Sequence, residues 1–253
     1  MKALCAAITF LTIVPLPQSW CGDKKDMARS LLWFPLVGLI IGIIIAGADY
    51  LILYLSGSIT VAGAITVILL IAVSGGLHLD GLGDSADAFM SSRGRERMLE
   101  IMKDSCCGPM AVYAVVAIML IKFAALTALP PQIRSSAIVL TPLAGRCAIV
   151  INNVVLPYAR SNGGLASVTN SGSKAWQAYT AVIVLLLTAT VVTTTATAWA
   201  ITATTTVFSL LFALRCHRVL GGLTGDTLGA VCELAELTPL LLVLVFYHHG
   251  GIN

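Results

Sequence analysis

Apolar runs long enough to cross a bilayer limit this chain more than any other feature in it. Crossing about 30 Å of hydrocarbon takes roughly 20 apolar residues. Inside that layer every backbone N–H and C=O needs a partner from the chain itself, which leaves helices for runs of this kind. Such runs occur at 31–54, 59–77, 108–129, 135–156, 177–197, 201–215 and 229–247. The sixth, "ITATTTVFSLLFALR", is the shortest and is rich in threonine. Composition agrees: 58% of the 253 residues are hydrophobic and 11% are charged, where soluble domains carry about 25% charged residues. The expected fold is all-α, a polytopic integral membrane helical bundle of about seven spans. Ahead of it, Lys2 precedes "ALCAAITFLTIVPLP". A single lysine, and bulky Trp20 before Cys21, suit neither a cleaved signal nor a lipidation site. That stretch is expected to remain as an amphipathic helix in the membrane interface.

Basic residues set the orientation. Tight turns at 56–58, 130–132 and 198–200 would share one side, and the longer connections 15–30, 78–107, 157–176 and 216–228 the other. Lys2, Lys24, Lys25, Arg29, Arg93, Arg95, Arg97, Lys103, Arg160, Lys174, Arg215 and Arg218 lie with the long connections, and only Arg134 with the turns. The long connections therefore face the cytoplasm, in a cell membrane. Lys122 and Arg146 fall within spans. A net charge of +3, so dispersed, gives nucleic acid no footprint. The seven cysteines form no CxxC or Cys/His metal spacing and read as reduced, mostly packed thiols. No internal repeat or separate soluble unit is visible, so residues 1–253 read as one membrane domain.

Six of the twelve carboxylates fall in "HLDGLGDSADAFMSSRGRERMLEIMKDS", residues 78–105. On a helix, Asp80, Asp84 and Asp87 lie within about 60° of one another. Glu100 and Asp104, four apart, form a second stripe, and "SSRGR" suits a turn between two helical arms. The segment 78–107 is therefore expected to be an acidic helical hairpin at the cytoplasmic surface. One carboxylate at mid-membrane costs about 2.5–3.5 kcal/mol on insertion scales, so something cationic should neutralise the cluster. Salt bridges of Arg93 with Glu96, Arg97 with Glu100, and Glu100 with Lys103 are the bland explanation. They leave out Asp80, Asp84 and Asp87, whose arm carries no lysine or arginine. An all-oxygen set favours a hard dication, Mg²⁺ or its substitute Mn²⁺, over zinc. Metal and carboxylate at a membrane surface suggest transfer of a phosphate-containing group, with arginines gripping the phosphates.

That chemistry resembles the CDP-alcohol phosphotransferases of phospholipid synthesis. Asp84-x-x-Asp87 is followed by Ala88 where their motif has glycine, and "SSR" comes one residue late. A closer likeness covers almost the whole chain. "FLTIVPLP", "FPLVGLIIG", "GGLHLDGLGDSADAF", "RMLEIMKDS" and "LGGLTGDTLGA", in that order, look like the cobalamin synthase family, the adenosylcobinamide-GDP ribazoletransferases. The likeness implies a late step of vitamin B12 assembly. α-Ribazole or its 5′-phosphate would be joined to adenosylcobinamide-GDP, giving adenosylcobalamin or its 5′-phosphate and GMP, with Mg²⁺ required. Ala88 and Cys106 stand where that family has, respectively, a common glycine and often an arginine.

On this reading Asp80, Asp84, Asp87 and Asp104, with Glu100, hold metal on the pyrophosphate. The ribazole 5′-oxygen attacks in line with departing GMP, and Asp104 or His78 accepts its proton; Asp87 also belongs to the catalytic set. A second polar cluster, 216–237, sits at the mouth of the last span. Asp226 and Glu233 share a helical face there. Gly221, Gly222 and Gly225 either open backbone amides to phosphate or simply make a turn. Arg146 and Lys122 are partners for Glu233 or contacts for substrate. The loop 158–174 reads as a flexible solvated connector, or else as one whose Arg160 and Lys174 contact the GDP moiety or the ribazole phosphate. Arg93 and Arg218 complete the substrate-binding candidates. Likeness to other membrane transferases suggests a homodimer. An ion-coupled transporter is the rival from another class, although its acids usually sit in broken, repeated midplane helices. For orientation, an impermeant maleimide should label an Arg93→Cys variant, read in the peptide carrying position 93, only from the cytoplasmic face; labelling of intact cells from outside would overturn the assignment.

Overall fold

A computed structural model describes residues 1–104, 106–160 and 165–250, with the side chains of Gln18, Leu165 and Ala166 left aside. All regular structure among these residues is helical, apart from one isolated bridge between Tyr158 and Leu223. Three short helices come first: α1 (Lys2–Leu11), α2 (Gln18–Cys21) and α3 (Lys24–Ser30). Asp23 starts α3 by accepting hydrogen bonds from the Lys25 and Asp26 amides at 2.9 and 3.2 Å. A 3₁₀ turn at Leu31–Trp33 leads into α4 (Phe34–Ser56), which ends at Gly57 with φ +63°. Then come α5 (Ile59–Ala72), α6 (Leu77–Met90) and α7 (Arg95–Ile101). The long helices α8 (Pro109–Ala128) and α9 (Pro131–Val155) follow, then the short α10 (Leu165–Ser171). Helices α11 (Ala175–Val192), α12 (Thr195–Leu220), α13 (Gly225–Ala235) and α14 (Leu237–His248) complete the chain. Six helical segments are long and apolar enough to cross a membrane, or seven if the bent pair α5–α6 counts as one.

The axis of the bundle is α9. Of its most apolar window 83% is buried, against 22% for α11, so it is walled by protein where α11 meets lipid. Helix α4 lies closest against it. A Cβ on Gly38 would come 2.7 Å from the Pro142 carbonyl, and one on Gly42 would collide with Val139. Small residues four apart thus let two backbones touch, the usual device where lipid supplies no hydrophobic drive between helices. Away from the polar loops, Arg134 grips Asp49 through two 2.8 Å bonds, and Thr66 donates to Asp49 at 2.5 Å. This ties α9, α4 and α5 together. Arg134, grouped with the tight turns in the sequence, is buried in the first turns of α9, and its remaining nitrogen donates to the Leu126 carbonyl.

Three expected boundaries move. The second apolar run breaks at Ala72, because Gly75 and Gly76 adopt φ +62° and +77° and turn α6 by 84°. The threonine-rich sixth run, expected at 201–215, is a 26-residue helix, and its turn lies at 193–194 instead of 198–200. Its hydroxyls bond back to the preceding turn, Thr202 to the Ala198 carbonyl and Thr206 to that of Thr202, both at 2.8 Å. Hydroxyls satisfied within the helix do not bar it from lipid. The loop expected to be a flexible connector contains α10. That helix packs on α3, and Asn170 donates to the Asn153 and Leu156 carbonyls at 2.8 Å each. The glycines at 163 and 164, and Ser105, lie outside the described residues.

The acidic arm is not a free hairpin. Helix α6 is wedged between α8 and α13 and buries Gly81, Leu82, Gly83, Ser85 and Ala88. A Cβ on Gly81 would sit 2.7 Å from the Asp226 carbonyl, and one on Gly229 would sit 2.9 Å from that of His78. Their Cα atoms face each other across the crossing. Gly229→Leu is expected to cost about 1–3 kcal/mol by overpacking, read as an earlier thermal midpoint in detergent; an unchanged midpoint would show that the crossing tolerates a side chain.

Candidate active site

The crossing of α6 and α13 brings two glycine-spaced acidic segments to one end of the bundle. A cleft of about 970 Å³ opens there, with Asp80, Asp84, Lys103 and Asp104 among its walls. Thr9, Phe10 and Thr12 at the end of α1 close the other side. Asp84 feels the negative charge of Asp80, Asp226 and Asp87 and the positive charge of Arg160. Arg160 donates to Asp226 at 2.6 Å and to the Met102 carbonyl at 3.5 Å, and Thr224 donates to Asp226 at 3.2 Å. The loop holding Arg160 is fixed by pairing with the segment after α12. Ala159 donates to the Leu223 carbonyl at 2.8 Å, and Leu223 to that of Pro157 at 2.9 Å.

Asp87 takes a different part from Asp80 and Asp84. Its two oxygens accept from the Gly108 and Ala111 amides at 2.7 and 3.0 Å, which caps the start of α8. Carboxylates favour that position because helix-starting amides lack partners and carry partial positive charge. A Cβ on Gly108 would fall 2.5 Å from the same carboxylate. Asp87 therefore staples the far end of the 91–108 segment, which carries Asp104, back onto α6. The expected stripe of Glu100 and Asp104 does not form. Helix α7 stops at Ile101, so Asp104 lies beyond it in the cleft wall, while exposed Glu100 accepts from Arg97 at 2.8 Å. Asp104 also accepts from the Cys106 amide at 3.1 Å, and its carboxylate pushes the Cys106 thiol pKa up.

The second cluster divides. Asp226 joins the cleft group through Arg160, whereas Glu233, two turns on, is buried among cations. Lys122 donates to Glu233 and Glu236 at 2.6 Å each, and Arg146 donates to Glu236 at 2.5 Å. These four side chains are 2–5% exposed, so the network is sealed. Of the two roles open to Arg146 and Lys122, the structure shows that of partners: both sit with Glu236 and with Glu233, itself a substrate-binding candidate, inside the bundle and away from the cleft lining. His78 is buried beside this network, outside the cleft lining, with Nδ1 unpartnered. Gly221 caps α12 at φ +73° and a Cβ on Gly222 would collide with the Pro157 carbonyl, so both glycines serve the turn after α12. Gly225 opens α13 behind the Thr224 cap. Arg93, Lys174 and Arg218 are exposed and line no part of the cleft. Lys103 and the end of α1 are cleft walls that spacing alone did not single out.

Among the described residues no three His, Cys, Asp or Glu side chains converge as a ready-made metal cage. The chemistry of the cleft still suits a hard dication carried in with phosphate, since Mg²⁺ is commonly held by one or two carboxylates plus substrate oxygens.

The chain matches the family description cobalamin-5-phosphate synthase over residues 3–245. It is 38% identical over 240 residues to the adenosylcobinamide-GDP ribazoletransferase of Pseudomonas putida strain W619, covering 93% of this chain and 95% of the relative. The proteins of the same name from Desulforamulus reducens and Geotalea daltonii are each 36% identical over 244 residues. Those alignments cover 96% of this chain, and 96% and 97% of the two relatives. No solved structure matches the chain.

Lys122→Met leaves two buried carboxylates short of a cation. The expected loss is about 3–5 kcal/mol, seen as a collapse of the detergent-solubilised melting midpoint, and a wild-type midpoint would remove Lys122 from the network.

Proposed function

The chain belongs to the cobalamin-5-phosphate synthase family, and from that premise we propose how its cleft performs the reaction. It is a membrane transferase that joins ribazole to adenosylcobinamide-GDP in cobalamin synthesis. The observation that carries the residue assignment is the meeting of Asp80, Asp84, Asp104 and Lys103 in one cleft beside the Asp226–Arg160 pair. A diphosphate needs cationic neutralisation and a nucleophile needs a proton acceptor, and the cleft offers groups for both.

In the proposed step a ribose oxygen bonds to the phosphorus attached to cobinamide. The bond from that phosphorus to the bridging oxygen breaks, and the bridging oxygen departs with GMP. A product named as a 5-phosphate keeps phosphate at that position. The attacking group is therefore another ribose hydroxyl, which corrects the expected 5′-oxygen attack. Asp104, exposed in the cleft wall, accepts the hydroxyl proton in preference to His78, which is buried and outside the cleft lining. Mg²⁺, or Mn²⁺ in its place, would be held by Asp80 and Asp84 together with substrate phosphate, neutralising the diphosphate and steadying the leaving group. Arg160, already shared between Asp226 and the Met102 carbonyl, and Lys103 hold the remaining phosphate charge. Asp87 keeps the Asp104 loop in register through the α8 cap. The cleft opens on the side rich in lysine and arginine, which supports a cytoplasmic-facing site in the cell membrane.

Purified protein given Mg²⁺, adenosylcobinamide-GDP and α-ribazole should release GMP and form a cobalamin, with chelator stopping both. Asp84→Asn should lower turnover about 100-fold or more while the melting midpoint stays near wild type. Near-normal turnover in that variant would take Asp84 out of the chemistry.

A further inference from the structure

A second cavity, of about 550 Å³, opens on the same end of the bundle, between α1, the α2–α3 turn and α10. Its walls are mostly apolar: Ala6, Phe10, Leu16, Cys21, Met27 and Val168. Thr9 and Phe10 line both this cavity and the acidic cleft, so the two spaces meet across the last turn of α1. Asp23 and Lys24 are the charged residues in a lining that is otherwise mostly apolar. Its volume is that of a small-molecule site, and such sites are apolar with a few polar groups at fixed points.

The geometry points to this cavity as the subsite for the aromatic base of ribazole, the acceptor in the reaction proposed above, on which this assignment rests. Of the rings that enter that reaction, the donor's corrin is far bulkier than a nucleobase and its adenine, like its guanine, carries a polar edge; the remaining one is the ribazole base on the acceptor. Guanine presents a polar edge whose donors and acceptors need partners, since burying them unpaired is costly. The cavity offers few. The Thr9 hydroxyl and Cys21 thiol are bonded to each other at 3.3 Å, and one Asp23 oxygen already caps α3. A flat base with little polar edge fits the remainder, with Phe10 and Met27 among its contacts. The shared wall at Thr9 and Phe10 then places the ribose at the junction, facing the cleft that holds Asp80, Asp84 and Asp104.

Cys21 supplies the test in the unsubstituted chain. Protein in lipid nanodiscs is treated with N-ethylmaleimide, and modification of the Cys21 peptide is followed by mass spectrometry. Saturating α-ribazole should slow that modification at least fivefold, while GMP leaves it unchanged. Protection by GMP instead would assign the cavity to guanine and overturn the proposal. Equal rates with and without either ligand would also overturn it, as would a Cys21 that is blocked before ligand is added and freed by delipidation, which would mark a lipid site. Kinetics give a second reading: Met27→Trp should raise the KM for α-ribazole at least tenfold and change that for adenosylcobinamide-GDP less than twofold. Turnover of the wild-type protein is measured in parallel. Turnover without protection rejects the subsite alone, whereas no turnover rejects the reaction on which it rests.

Discussion

The acidic cleft depends on two backbones touching. Gly81 and Gly229 let α6 and α13 cross with no side chain between them. That contact sets Asp80 and Asp84 opposite Asp226, although about 140 residues separate them in the chain. In hydrocarbon the apolar faces of two helices gain little by meeting each other in place of lipid. Close approach through glycine gains van der Waals contact instead. The glycine-rich texture of "LDGLGD" and "GDTLGA" thus serves helix contact, and only through that contact does it serve chemistry.

Charge is then sorted by whether it has a partner. Below the crossing, Lys122, Arg146, Glu233 and Glu236 neutralise one another in a sealed network across α8, α9 and the α13–α14 junction. Toward the other end Arg134 and Asp49 do the same. Buried pairs of this kind add little net stability, yet losing one member is severe because the other is left stranded. The cleft group differs. Asp80 and Asp104 are exposed, and Asp84 is crowded by three neighbouring carboxylates. The fold leaves this acid far less compensated than the buried pairs.

The sequence showed the spans well, because hydropathy reports directly on the solvent that a helix meets. It misjudged places where local conformation overrides hydropathy. Paired left-handed glycines at 75 and 76 break a run that reads as continuous, and threonine hydroxyls folded back on their own helix extend one that reads as too polar. Within the site, the grouping of Asp80 and Asp84 was legible from helical spacing. The separation of Glu100 from Asp104 was not, since it depends on α7 ending one turn early. Nor was the retreat of Asp87 into a helix cap, which needs a partner on another helix; the company of Lys122 and Arg146 around Glu233 was one of two alternatives that the sequence left open.

The bend after α5 has a consequence for the surrounding lipid. With 14 residues, α5 is about 21 Å long at 1.5 Å per residue, against roughly 30 Å of hydrocarbon. By length alone, a helix that short calls for a locally thinner bilayer beside the cleft. A thicker membrane would bury the carboxylates deeper and resist the entry of a water-soluble nucleotide, and a thinner one would bring them level with the aqueous phase.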